Sequence, residues 1–295
     1  MRAGISTQGK GHHGAEVRGN GLGRLAKGFK KQWKGYQKGL RSCQKELSEE
    51  AIHDLRVGTR RLLATLKLLH AFLAGKAVKQ IACALKQHLD EFDELRDTQV
   101  GLKLTKPLRT RFAAARDFHK HLLDCEKRFT RRTRKRIKKV KLGPARKVVQ
   151  DCRRQLESKV DACSRDRANA LLLRAIAQAF ARVRRYRAAI DARNARTIHR
   201  TRVAFKEFRY MIEALSDCLP FATNRQLDAM HDYQTMMGDV QDAQVLLTSV
   251  DKFLSERDSD PRMADRFRKE LLRRRETLIK KYLSCADRLE KFWPD

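Results

Sequence analysis

The sequence predicts an all-α fold built from a duplicated four-helix unit, and three observations predict it. Apolar residues recur at helical spacing from Leu22 almost to the C-terminus. Strands have little support, because the 295 residues include only five prolines and no β-branched alternating run between turn signals. A cationic helix that begins near His53 returns at His199, 146 residues later.

Residues 1–21 (MRAGISTQGKGHHGAEVRGNG) are glycine-rich and aperiodic, and read as a disordered tail. His12 and His13 in that tail lack the further ligands a metal needs. The first helix covers about 22–42, with Leu25, Phe29, Trp33, Tyr36 and Leu40 on one face. Ser48 suits the N-cap of the second, whose first turn carries Glu49 and Glu50 and which ends near Gly75. A third covers about 77–103. Pro107 suits the first turn of a fourth that reaches Leu142, where Gly143-Pro144 punctuates the chain. A linking helix covers about 145–163, followed by helices near 165–192, 195–219, 223–255 and 261–291. Asn194 suits the cap of the seventh, Pro220 ends it and Pro261 opens the last. Nine helices with short connections indicate antiparallel bundles, a first over about 22–142 and a second over about 165–292.

An apolar fraction of 41% supports a globular core. With 67 Lys+Arg against 35 Asp+Glu the formal net charge is +32, which predicts a polyanionic partner: nucleic acid, an anionic membrane or inorganic polyphosphate. The seven cysteines are scattered, without C-x-x-C, and read as reduced core thiols. No apolar run is long enough to span a membrane and no signal-peptide pattern follows Met1, so the expected location is cytoplasmic.

The stretch Ile52-His53-Asp54-Leu55-Arg56-Val57-Gly58-Thr59-Arg60-Arg61-Leu62 organises the chain. As a helix it gathers His53, Arg56, Arg60 and Lys67 within about 60°, with Leu55, Leu62, Leu66, Leu69 and Leu73 opposite. In the second copy His199, Arg202, Lys206 and Arg209 form the stripe, backed by Phe208, Ile212, Leu215 and Leu219. A second pair of segments, Glu94–Val100 and Asp239–Val245, agrees at nearly the same offset. Like charges ~6 Å apart repel by roughly 2–3 kcal/mol at most, so a helix selected for stability alone would intersperse acids. The stripes therefore read as an anion site. The run Lys127–Lys141 reads equally well as a solvated face. Asp97 and Asp242 are expected to pair with arginines of a neighbouring helix and hold them in place.

Several chemistries lack their residues. Glu50-x-x-His53 resembles half of a di-iron site, but the repeat has Arg196 in place of the glutamate. There is no H-E-x-x-H, Gly-rich phosphate loop or G-x-S-x-G, and nothing places paired carboxylates beside the basic cluster. The expectation is a binder without metal or cofactor, not an enzyme.

His53-x-x-Arg56-Val57-x-x-Arg60-Arg61-Leu62 resembles the defining helix of the CHAD family, the conserved-histidine α-helical domains. Leu95-Arg96-Asp97-x-x-Val100 resembles that family's second signature, and the His199 and Asp242 segments resemble the second-half copies. The resemblance spans about 22–292. It implies two pseudo-symmetric four-helix bundles whose basic helices line a central channel for inorganic polyphosphate. The implied binding residues are His53, Arg56, Arg60, Arg61 and Lys67 in the first half, and His199, Arg202, Lys206 and Arg209 in the second. Leu63 replaces a frequent third arginine, Glu207 and Glu213 stand at the counterparts of Arg61 and Lys67, and Gln241 replaces the arginine before Asp242. Those departures predict either weaker binding by the second half or a second half that shapes one end of the channel. Many family members carry a CYTH triphosphatase domain with an E-x-E-x-K signature, which is not found here, so the resemblance implies a stand-alone polyphosphate binder associated with polyphosphate granules. The alternative is an architectural nucleic-acid-binding protein, disfavoured by the 7% aromatic content and the lack of base-reading motifs.

Overall fold

The computed structural model describes residues 15–73, 75–256 and 261–294. These residues form ten α-helices and no strand: α1 Gly21–Lys45, α2 Glu49–Leu69, α3 Gly75–Asp90, α4 Asp93–Thr105, α5 Ala113–Lys138, α6 Gly143–Ala162, α7 Arg165–Ala188, α8 Ala195–Ala214, α9 Asn224–Ser255 and α10 Pro261–Leu283. The caps behave as the sequence predicts. The Ser48 side chain accepts from the Ala51 amide, and Asn194 from the Arg196 amide.

Several expectations change, among them the ends of α2 and α8, which stop at Leu69 and Ala214 instead of near residues 75 and 219. The helix expected over 77–103 is two helices, broken at Glu91-Phe92, where buried Phe92 turns inward. Pro107 lies in a short 3₁₀ turn, Lys106–Leu108, instead of opening α5. α4 ends at Thr105, two residues before Pro107, which lacks the amide hydrogen to continue it. The helix expected to reach residue 291 stops at Leu283, and a 3₁₀ segment, Ala286–Phe292, tucks Leu289 and Phe292 into the core.

The expected tail is also shorter than predicted. Residues 15–20 run along α7, where Asn169 donates to the Val17 and Gly19 carbonyls at 3.0 and 2.9 Å and accepts from the Gly21 amide at 3.2 Å. Gly19 adopts a φ of 70°, which favours glycine, and a Cβ on Gly21 would lie 2.8 Å from Val17. Both glycines let the strap lie flat on α7. His12 and His13 lie outside the described residues.

α2 packs against α8 at the centre of the molecule, with α1 behind α2 and α7 behind α8. α4 packs on α5, α9 on α10 and α4 on α9, while α6 covers α1 and α3. The neighbours of α1, α2 and α5 thus mirror those of α7, α8 and α10, an arrangement that a duplication would produce. Two apolar clusters form, and both draw on both halves of the chain. The larger joins α1–α3 and α6 to α7–α9. The smaller joins Phe118 and Leu122 of α5 to Leu247, Val250, Phe253, Phe267 and Leu271 of α9 and α10. None of the seven cysteines is in a disulfide. Cys43, Cys125, Cys152 and Cys218 are buried, but Cys83 is exposed on α3. Among the described residues no helix is long and apolar enough to cross a membrane.

Candidate functional site

α2 and α8 turn their leucine and phenylalanine faces outward into the core and their cationic faces toward each other. Between them, walled by α3, α4, α7 and α9, lies a half-open cavity of about 1300 Å³. All nine residues predicted to bind line it: His53, Arg56, Arg60, Arg61, Lys67, His199, Arg202, Lys206 and Arg209. Asp97 and Asp242 line it too. Among the described lining residues, eleven are Lys or Arg and five are Asp or Glu, so the cavity is a local concentration of positive charge.

The cations divide into those already paired and those left without a partner. Arg56 is buried. Its Nη1 donates to the Leu89 carbonyl at 3.1 Å and to Asp93 Oδ1 at 2.8 Å, so it ties the end of α3 to the start of α4. Arg61 pairs with Glu213 at 3.2 Å, and Lys67 pairs with Glu207, which also holds Arg182. Arg209 pairs with Glu213 at 3.3 Å, stacks over Tyr210 and contacts His231 Nδ1 at 3.1 Å. The two glutamates read as departures in the second half therefore neutralise cations of the first. Arg61 and Lys67 have Glu207 and Glu213 as their respective sequence counterparts, yet each binds the other one's counterpart. A two-fold relation produces such crossed contacts.

Arg60, Arg202 and Lys206 have no ion pair among the described residues. Arg202 shows why. Arg56 has Asp93, whereas the corresponding residue beside Arg202 is Gly238, whose absent Cβ would lie 3.5 Å from the Arg202 Nε. That Nε is buried without a hydrogen-bond partner, as is His199 Nδ1. Burial, then the charges of Arg60, Arg202, Arg56 and Arg209, push Lys206 down to about 6. Burial and Arg56 lower Arg60 as well, though a guanidinium remains a cation at neutral pH. Burial and Arg202 also lower His199, and a hydrogen bond with Gln241 partly offsets them. Of the three basic side chains without an ion pair, Arg202 and Lys206 come from α8 and Arg60 from α2.

Asp97 and Asp242 are expected to pair with arginines, and against the larger effect of burial the charges of Arg56 and Arg202 do lower the Asp97 and Asp242 carboxyls respectively. Neither forms an ion pair with an arginine among the described residues, and the acid that holds Arg56 is Asp93, one turn earlier. They stand on α4 and α9 where those helices meet. Burial raises both carboxyls, and Asp93 and Asp242 raise Asp97 further. The fold therefore does bring carboxylates to one wall of the basic cavity, which the sequence spacing did not show. Among the described residues, no group of three or more His, Cys, Asp or Glu is placed to hold a metal.

Lys79 and Lys86 of α3, Arg96 of α4, Arg182 of α7 and His231 of α9 also line the cavity. The seven-residue spacing of Lys79 and Lys86 puts them on one helical face and is a usable signal. Nothing in the sequence singles out Arg182 or His231.

A structure titled as the CHAD domain from the plant Ricinus communis superposes with a TM-score of 0.63 at 16% identity, covering 98% of this chain and 96% of that one. PptA from Streptomyces chartreusis gives 0.64 at 16% identity, covering 94% and 99%. At such identity the likeness is one of fold. No curated protein sequence matches the chain. The family model for the CHAD domain matches residues 24–251, which includes α2, α8 and both acidic segments, and the chain belongs to that family.

Proposed function

We infer that the cavity binds linear inorganic polyphosphate, without chemistry on it. The observation that carries this reading is the group of Arg60, Arg202 and Lys206, which face one enclosed space with no acid paired to any of them. Arg60 and Arg202 repel one another, and burial with the same charges holds Lys206 at about 6 and so mostly neutral at neutral pH; a chain of closely spaced phosphates relieves the repulsion and restores the lysine's proton. The arginines supply forked donors to adjacent oxygens and Lys206 a point charge. Tyr210 is the one Phe, Tyr or Trp among the described lining residues, and Arg209 already covers it. A platform for stacking bases is thus lacking, which favours polyphosphate over single-stranded nucleic acid.

Calorimetric titration with polyphosphate of defined length, beside duplex DNA and ATP, tests the reading. Polyphosphate should bind best, and by analogy with nucleic acids three to five phosphate contacts should lose roughly 40- to 500-fold in affinity between 50 and 200 mM salt. A folded Arg60→Gln, Arg202→Gln, Lys206→Met variant should lose the site. Full affinity in that variant, or displacement of polyphosphate by duplex DNA at equal phosphate concentration, would sink the assignment. The carboxylates on the α4–α9 wall raise a second reading, metal-assisted phosphate hydrolysis, although among the described residues they form no group placed to hold a metal. Incubation with Mg²⁺ and long-chain polyphosphate separates the two, and no phosphate release is expected.

A further inference from the structure

The outer face of α1 carries a second concentration of charge, and the cavity does not use it. Lys27, Lys30, Lys31, Lys34, Lys38 and Arg41 are exposed, fall within about 100° of one another and run for roughly 20 Å along the helix. Leu25, Phe29, Trp33, Tyr36 and Leu40 occupy the opposite, buried face. The helix contains no Asp or Glu. Among the described residues none of these six cations has an ion pair. Comparably basic α10 is built differently, with Asp265 and Glu270 pairing Lys269, Arg273 and Arg274 along its own length. At the far end of the stripe, Gln44 donates to the Ile137 and Val140 carbonyls at 3.0 and 3.3 Å. That contact brings α1 against the end of α5, where exposed Lys138 and Lys139 extend the positive surface.

α1 contributes nothing to the cavity. α2 lies between the stripe and the cavity, so two stacked helices, roughly 20 Å of protein, separate them. One short segment of polyanion cannot touch both.

We propose that the α1 stripe is a second polyphosphate-docking surface, and that one molecule holds two stretches of polyphosphate at once, one in the cavity and one outside. This rests on the reading of the cavity as a polyphosphate site. The stripe is mostly lysine, a point charge without the forked geometry that reads a particular group. The rings of Phe29, Trp33 and Tyr36 are turned into the core, leaving none to stack on bases. Both features fit an extended, featureless polyanion. Two sites facing different directions cross-link long chains, and the second contact on the same chain is strengthened by effective concentration.

The test uses the full chain and a Lys30→Gln, Lys31→Gln, Lys34→Gln, Lys38→Gln variant, glutamine being close to lysine in helix propensity. Circular dichroism checks helicity, titration with tripolyphosphate reads the cavity, and light scattering with long-chain polyphosphate reads cross-linking. The variant should keep the wild-type affinity for tripolyphosphate, lose most of the scattering and bind long chains about 10²-fold more weakly. Unchanged scattering and long-chain affinity in the folded variant overturn the second surface. Equal scattering of the wild type with duplex DNA at the same phosphate concentration overturns polyphosphate as its occupant. A wild type that fails to bind tripolyphosphate overturns the cavity reading, and the cross-linking proposal with it.

Discussion

Lys206 is the basic side chain most perturbed by its surroundings. Its folded pKa of about 6 lies below the ordinary lysine value, so unfolding takes up a proton. The group therefore weakens the fold increasingly as pH falls from the usual lysine range toward 6, and by a constant amount below that. Lys206→Met should stabilise the free protein at neutral pH by about 1–4 kcal/mol in chemical denaturation, as apolar replacement of buried charge often does. A bound phosphate raises the same pKa, so binding takes up a proton and affinity should fall as pH rises above 6, by up to roughly tenfold per unit. Arg60, Arg202, Arg56 and Arg209 act on this amine, and His199 two turns earlier on α8 adds to the same trend. Titrations in two buffers of different ionisation heat would count the protons, and a pH-independent affinity would contradict the account. Arg56 and Arg202, equivalent in sequence, should diverge when replaced by alanine. Arg56→Ala removes charged hydrogen bonds to Asp93 and Leu89 and should cost about 1.5–3 kcal/mol of stability. Arg202→Ala should cost little stability and instead reduce polyphosphate affinity.

At the scale of elements, the α2–α8 contact combines a core and a clamp. Glu207 and Glu213 pair with Arg61, Lys67, Arg182 and Arg209 along the cavity wall and offset part of their charge. A Glu207→Gln, Glu213→Gln variant should bind polyphosphate several-fold more tightly and with a steeper salt dependence, because freed cations add phosphate contacts. Weaker binding would mean that the glutamates serve mainly to shape the cavity. The helical periods and caps of α2 and α8 were legible in the sequence, because both helices have one face in the core and one in the cavity. The crossing of their ion pairs was not, since alignment of the copies pairs Arg61 with Glu207 and only the packing pairs it with Glu213. The break between α3 and α4 was hidden for a different reason. Val78, Ile81, Leu85, Phe92 and Leu95 keep helical spacing across it, so periodicity continues where the backbone turns. Asp93 was missed with it, because its role depends on standing at the new helix start.

For the whole molecule, the two apolar clusters differ in size, and α9 runs through both. The smaller one, around Phe118, Phe253 and Phe267, should open first. Amides in the first half of α10 should exchange hydrogen through a sub-global opening, well before those of α2 and α8. Equal protection throughout would show one cooperative unit. The N-terminal strap belongs to the same scale. Asn169→Ala leaves the Val17 and Gly19 carbonyls and the Gly21 amide without their partner, and should cost about 1–3 kcal/mol and expose residues 15–20 to proteolysis. The crossed pairs of α2 and α8 bear on how such a chain can change over generations. Replacing Glu207 alone by a basic residue would set it against Lys67 and Arg182, and replacing Glu213 alone would set it against Arg61 and Arg209. Neither glutamate can become basic in one step without bringing three cations together. The two halves are heritable complements, and a gene cut between them would encode two fragments that each lack counter-charges carried by the other.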